Sequence, residues 1–308
     1  MRNLTYLRMV SVLGIAVSAG LAQESGKLIV TGEPKGHEAA PVLQRDDISV
    51  EIANKTARVV SWTPLTGDAA ALQLYIVIDD GDGSDLGLQF GDLKKFINGQ
   101  PASTQVGIAY LRYGTAQIAV APTSDHARAA EALRLPLGDS GIDGSPYIGL
   151  KDLIKKWPAA EARREVLTIM SGVDPYYLSP DLFDPYLTDA IAEAQKANIV
   201  VSSIYYASAG HFGHSFYRTS WGQNYLSMLD EELGGEFYWQ GLTNPVSFQP
   251  FLKEFSDWLN HQYLLVAELE SAGKPELKSV RVRTQKTGIS LVTASKIYAV
   301  EPGPRSSK

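Results

Sequence analysis

Five short apolar runs separated by amphipathic stretches fill the middle of the chain, and that alternation narrows the fold more than any other feature. Segments 72–78, 105–113, 115–120, 165–170 and 198–206 are rich in Val, Ile, Leu and Tyr, so they read as strands. Segments 86–98, 125–133, 147–156 and 187–197 carry apolar residues at helical spacing, such as Phe90, Leu93 and Ile97, or Leu187, Ile191 and Ala194. Strand and helix in turn predict an α/β fold, a Rossmann-like, doubly wound and mostly parallel sheet covered on both faces. A further helix over 224–233 stops at Gly234-Gly235, followed by a short strand over 236–239 and a helix over 247–260.

The flanks differ from the centre. After His261, segments 262–269, 279–285 and 289–293 alternate and are broken by Gly273-Lys274-Pro275 and Lys286-Thr287-Gly288, which predicts a small C-terminal antiparallel β appendage. Upstream, Ile48, Val50 and Ile52, then Val59, Val60 and Trp62, suggest an entry hairpin around Asn54-Lys55, preceded by a flexible leader. Residues 1–22 have Arg2 and Arg8 ahead of a moderately apolar stretch and end in Gly20-Leu21-Ala22, the pattern of a cleaved secretory signal. The expected order is a signal peptide over 1–22, leader and hairpin over 23–66, an α/β domain over 67–261, the β appendage over 262–300 and a disordered tail over 301–308.

With 308 residues, 44% of them hydrophobic, the chain can bury a large core without staples, and it has no cysteine for disulfides, thiolate metal sites or thiol catalysis. Its formal net charge is −6, and removing the signal takes two arginines with it. No Lys/Arg cluster tracks a phosphate backbone, so nucleic acid and anionic membranes are poor partners. The expected location is extracytoplasmic, periplasmic or secreted, with no transmembrane helix once the signal is removed.

The first central run leads directly into Asp79-Asp80-Gly81-Asp82-Gly83-Ser84. This places three carboxylates in a tight loop at the carboxyl end of a strand, where α/β proteins keep their sites. Three close acids repel unless a cation, a donor network or water offsets them.

In order along the chain, the residues resemble bacterial exported proteins with a von Willebrand factor A (VWA)-like domain, often labelled VWFA-related. Tyr75-Ile76-Val77-Ile78-Asp79 is similar to the opening of that domain and Val106-Gly107-Ile108-Ala109-Tyr110 to its second strand. Asp143-Gly144-Ser145 stands where the family has a Gly-Gly-Thr turn, and Val166 through Gly172 resembles the fourth strand and its turn. Glu231-Glu232-Leu233-Gly234-Gly235-Glu236-Phe237-Tyr238 and Asn260-His261-Gln262-Tyr263 match later landmarks.

The resemblance implies a Rossmann-like sheet, a non-enzymatic adhesion-type role, a protein or cell-envelope partner, and a metal-ion-dependent adhesion site. In such a site Asp-x-Ser-x-Ser, a Thr and a final Asp hold a divalent cation, and two hydroxyls with few carboxylates keep Mg²⁺ able to take an external anion. Here the match departs. Counted from Asp79, the two serines become Gly81 and Gly83, the Thr becomes Ser145 and the last Asp becomes Ser171. Counted from Asp80, the spacing gives Asp80-x-Asp82-x-Ser84, with Asp174 three residues downstream as the last acid. The Asp79 register with a degenerate site is favoured, and Asp79, Asp80, Asp82, Ser84, Ser145 and Asp174 are the candidate ligands for Mg²⁺ or Ca²⁺.

The same loop offers one enzymatic alternative. Asp80-x-Asp82-Gly83-Ser84 resembles the nucleophile motif of haloacid-dehalogenase-type Mg-dependent phosphohydrolases, and 138–143 resembles their second acidic motif. The order argues against it, because Ser171 follows both motifs and only Lys94 and Lys95, on the first helix, stand between them. Neither a twelve-residue calcium loop nor a Gly-x-Ser-x-Gly elbow is present. His211 and His214 lack a third zinc ligand by spacing. They lie in a loop with Phe216, Tyr217, Arg218 and Trp221, whose composition is that of a recognition surface; Tyr217, Arg218 and Trp221 are the candidate partner-binding residues.

Overall fold

The computed structural model describes residues 24–36, 41–138, 144–177, 183–207, 215–269 and 274–299. The expected signal, the tail, Asp139–Asp143 of the second acidic motif, and His211 and His214 lie outside the described residues.

The centre is a six-stranded sheet. Its parallel strands are β5 (Leu72–Asp79), β6 (Thr104–Arg112), β8 (Arg163–Met170), β9 (Ile199–Tyr205) and β10 (Phe237–Tyr238), and β7 (Thr115–Thr123) pairs antiparallel with β6 at one edge. The order is β10-β9-β8-β5-β6-β7. Counted from β5 this is 3-2-1-4-5-6, the doubly wound order, with its reversal between β5 and β8. β5 is apolar at nearly every position because both its faces are covered. Leu72, Leu74, Ile76 and Ile78 pack with α1 (Phe90–Asn98), α2 (His126–Glu131) and α6 (Gln249–Asn260), while Tyr75 and Val77 pack with α3 (Pro146–Lys156), α4 (Pro185–Ala197) and α5 (Phe216–Leu233).

Helix starts follow local chemistry. Ser145, Asp184 and Ser215 cap α3, α4 and α5 through side-chain oxygens, and Pro146 and Pro185 occupy first-turn positions where no N–H is needed. The Ser215 cap starts α5 eight residues before the helix expected from sequence. Phe216, Tyr217 and Trp221 therefore stand on a helix and not in a loop.

The flanks form one β sandwich in place of a leader, hairpin and separate appendage. β1 (Glu24–Pro34) lies inside the sheet β13-β1-β11-β4, between β13 (Ile289–Thr293) and β11 (Gln262–Leu269), with β4 (Val59–Pro64) at the edge. The facing sheet is β14-β12-β2-β3, built from β14 (Lys296–Ala299), β12 (Glu276–Thr284), β2 (Ile48–Ile52) and β3 (Lys55–Ala57). Leu28 and Val30 enter its core beside Leu265, Val50, Val282 and Ile297. The leader reading fails because the strand's flanking Gly, Lys, Glu and Pro mask a short buried segment. The hairpin reading holds for β2 and β3, while β4 leaves to pair with β11.

On the outer face of this sandwich Ile29, Leu65 and Leu264 pack on Val200 of β9, which fixes it against the amino ends of the central strands. No helix among the described residues is long and apolar enough to cross a membrane.

Candidate functional site

The loops after β5 and β8 meet at the carboxyl end of the sheet, on either side of the strand-order reversal. Asp79 continues the face of Tyr75 and Val77, toward α3, by the two-residue period of a strand. Its Oδ1 accepts the Gly81 N–H at 2.9 Å, and its carbonyl accepts the Asp82 N–H at 3.1 Å, so the acids sit in a closed turn.

The three acids have separate environments. Asp80 is buried and accepts two hydrogen bonds from Arg134, Nη1 to Oδ1 at 2.6 Å and Nη2 to Oδ2 at 2.7 Å, with Arg112 at 3.9 Å. The Arg134 guanidinium lies over the Tyr110 ring, 3.8 Å from its centroid. Asp80 is thereby a structural anchor for the segment that follows α2, and both of its oxygens are occupied. Asp82 is 0% exposed and neither of its oxygens has a hydrogen-bond partner. Burial first, then the charges of Asp79, Asp85 and Asp80, push its pKa well above the usual carboxylate range and favour the neutral acid. Ser84 is exposed at the start of a 3-10 turn, Ser84–Gln89.

On the α3 side lies a second polar group. The Ser145 hydroxyl is buried and accepts the Tyr147 and Ile148 N–H groups. Asp174 is buried and its Oδ1 accepts the Tyr176 N–H at 2.7 Å. Asp184, a residue not singled out from the sequence, faces Asp174 from the cap of α4. Burial raises Asp184 to about 6, with the Leu187 and Tyr186 N–H groups opposing it and Asp174 adding to it. Burial also raises Asp174, against hydrogen bonds from Ser145 and the backbone of Tyr176. The two acids interact across this contact, so their protons come off as those of a pair and not of either residue alone.

The structure thus splits the six candidate ligands. Asp79, Asp80, Asp82 and Ser84 share one loop, and Ser145 and Asp174 share the neighbouring pocket. Among the described residues no three His, Cys, Asp or Glu side chains converge as a metal shell would. Mg²⁺ takes six oxygens in near-octahedral array, and with Asp80 held by Arg134 and Ser145 engaged as a helix cap the residues present do not supply that set.

Arg134 and Asp184 escaped sequence reasoning for different reasons. Arg134 lies 54 residues from its partner in a segment without a motif. Asp184-Pro185 does carry a helix-start signature, Asp at the cap and Pro behind it. A third latch joins the loops after β5, β9 and β10, where Asn244 donates to Asp85 at 3.2 Å and accepts the Ala207 N–H at 2.7 Å.

Around this end stand exposed apolar side chains from several loops and the first turn of α5: Leu88, Tyr113, Leu137, Tyr176, Tyr217 and Trp239. Of the three candidate partner-binding residues, Tyr217 is 71% exposed. Arg218 is half-buried, and Trp221 packs partly against the core beneath α5.

No family model matches the chain, and no curated protein is similar to it. Among solved structures it is similar to an aerotolerance-related membrane protein from Bacteroides fragilis, at 12% identity and TM-score 0.44, over 61% of this chain and 98% of that one. It is similar to the VWA domain of SpRpn10 at 14% identity and TM-score 0.36, over 58% and 97% of the two chains. Three N-terminal domains of the type V pili tip protein Mfa5 from Porphyromonas gingivalis give 10% identity and TM-score 0.41, over 90% and 68%. The fold is doubly wound α/β. Likenesses this distant add nothing about function, and the class rests on the order 3-2-1-4-5-6 with an antiparallel edge strand and helices on both faces.

Proposed function

We propose that the protein is an exported, non-enzymatic interaction module that binds another protein or a cell-envelope component through the loops at the carboxyl end of its central sheet. The observation that carries this reading is the gathering of exposed large apolar side chains there. Leu135, Phe183, Phe216, Leu242 and Val246 belong to the same connections after α2, β8, β9 and β10, and away from this end the exposed large apolar side chains among the described residues are Val42, Val60 and Ile118. A rim of Tyr, Trp, Leu and Phe around partly buried polar groups is the composition of binding surfaces, and contiguous apolar exposure on a soluble domain marks an interaction site. Divalent-cation assistance at this loop is weakened, because the oxygens that would hold Mg²⁺ or Ca²⁺ are committed elsewhere or dispersed. The phosphohydrolase alternative needs Asp80 free to attack phosphorus, and its oxygens are engaged by Arg134.

Photo-crosslinking tests the binding face. A crosslinking amino acid at Tyr217 and at Leu137 is expected to capture the same envelope adduct, and one at Val60 or Ile118 is expected not to. Equal capture from all four positions, or none from the rim, sinks the reading.

A further inference from the structure

A second concavity lies at the opposite end of the central sheet, between the amino ends of its strands and the β sandwich. It encloses about 620 Å³, within the range of small-molecule sites, and a seam between two packed units is where such sites occur. Its walls are apolar on both sides, with Ile29, Leu65 and Leu264 from the sandwich and Ala71, Ala162 and Ala197 from the α/β unit.

Its charges are unlike those of the rest of the molecule. Lys27, Arg163 and Arg164 line it with Glu161 as the sole acid, a net positive cleft on a chain of net charge −6. The Arg163 side chain is 6% exposed; its Nη1 donates to the Leu65 carbonyl at 3.5 Å, and its Nε has no hydrogen-bond partner among the described residues. Among the described residues its close carboxylate is Glu165, 3.6 Å away, which Gln262 also approaches. Burial pushes Glu165 up to about 7, so this acid only partly offsets the guanidinium at neutral pH. Arg164 spends its guanidinium on the Trp157 and Ala197 carbonyls and on the Trp157 ring, with no carboxylate opposite it among the described residues. Lys27 is exposed at the mouth and makes no ion pair among the described residues. A buried cation held this incompletely has room for a further oxyanion, since a buried charge is costly unless paired.

We infer that this cleft binds a small amphipathic anion, a carboxylate head group that pairs with the Arg163 and Lys27 side of the cavity and a short aliphatic body that lies against its Ala, Leu and Ile walls. The site is separate from the rim proposed for partner binding and stands whether or not that reading holds.

Calorimetric titration of the purified protein with sodium octanoate, octan-1-ol and sodium acetate tests it. Octanoate is expected to bind saturably, with the uncharged alcohol and the tailless acetate each about tenfold weaker or more. Lys27→Glu reverses an exposed charge at the mouth, and Ala160→Trp fills the cleft from an exposed position. Each is expected to weaken octanoate about tenfold or more while leaving the unfolding midpoint unchanged. Failure of octanoate to saturate, octanol binding as tightly as octanoate, or wild-type affinity in both variants overturns the inference.

Discussion

Arg134 clamps Asp80 with two hydrogen bonds of 2.6 and 2.7 Å while its guanidinium rests on the Tyr110 ring, whose hydroxyl accepts the Arg134 N–H at 2.6 Å. The acid is buried, whereas the arginine side chain is 41% exposed. Removing the arginine leaves a carboxylate out of water with only Arg112, at 3.9 Å, to offset it. Arg134→Met is therefore expected to destabilise by about 2–3 kcal/mol, the partial exposure of Arg134 keeping the loss at the low end for a broken buried pair. Arg112→Met is expected to cost less than half of that. Urea unfolding of the two variants checks the order, and equal midpoints contradict the clamp.

The Asp174 and Asp184 pair gives the stability a pH dependence of defined sign. Asp184 rises from an ordinary 3.8 to about 6 on folding, so the folded state holds the proton more tightly than the unfolded chain. Its stabilising contribution is complete below about pH 4 and is lost as pH rises through about 6, on the order of 3 kcal/mol. Asp184→Asn keeps a capping oxygen for the Tyr186 and Leu187 N–H groups and removes the titration. Thermal unfolding of this variant is expected to be flatter than wild type between pH 4 and 6. The later fall produced by Glu165, pushed up to about 7, is expected to remain.

What the sequence discloses of this fold depends on how local the determining contacts are. β5 announces itself because a strand covered on both faces is apolar throughout, and the helices announce themselves by spacing and caps. β1 stays hidden because Gly26, Lys27, Gly32 and Glu33 dilute Leu28, Ile29 and Val30, and its partners lie more than two hundred residues away, in β11 and β13. The site shows the same division. The acidic loop is legible as a loop at a strand end, but which acid is paired depends on Arg134, and the Asp174 and Asp184 pair depends on the loop after β8 meeting the cap of α4.

Two glycines seat α5 against the loop after β8. A Cβ on Gly222 would lie 2.2 Å from the Ser171 carbonyl oxygen, and Gly172, at φ +72°, would place its own 2.3 Å from the Gly222 carbonyl. Backbone atoms cannot yield as a side-chain tip does, so α5 must move away. Gly222→Ala is expected to destabilise by about 2–4 kcal/mol despite its better helix propensity. By contrast Tyr217→Ala, at an exposed position on the same helix, is expected to stay within about 0.5 kcal/mol of wild type. Denaturant midpoints for the pair separate the seating contact from helix propensity, because propensity alone predicts a gain at Gly222.

Restoring ligands tests the proposed weakening of the cation loop more sharply than removing them. A Cβ at Gly81 would sit 3.4 Å from Asp79 Oδ1, and one at Gly83 would displace only the Asp85 carboxyl tip, so both positions accept serine. Ser171 is buried at the end of β8, and its Oγ accepts the Val173 N–H at 3.2 Å, a role an aspartate oxygen can fill. The triple variant Gly81→Ser, Gly83→Ser, Ser171→Asp brings two hydroxyls and a carboxylate to the face of Asp79 and Ser145. Calorimetric titration is expected to show Mg²⁺ binding at least about tenfold tighter than wild type, because the variant gathers hard oxygens at one point. Asp79→Ala in the triple variant is expected to abolish that gain. Tight Mg²⁺ binding by the wild-type protein, or no gain in the variant with its fold intact, contradicts a site weakened by the loss of these oxygens.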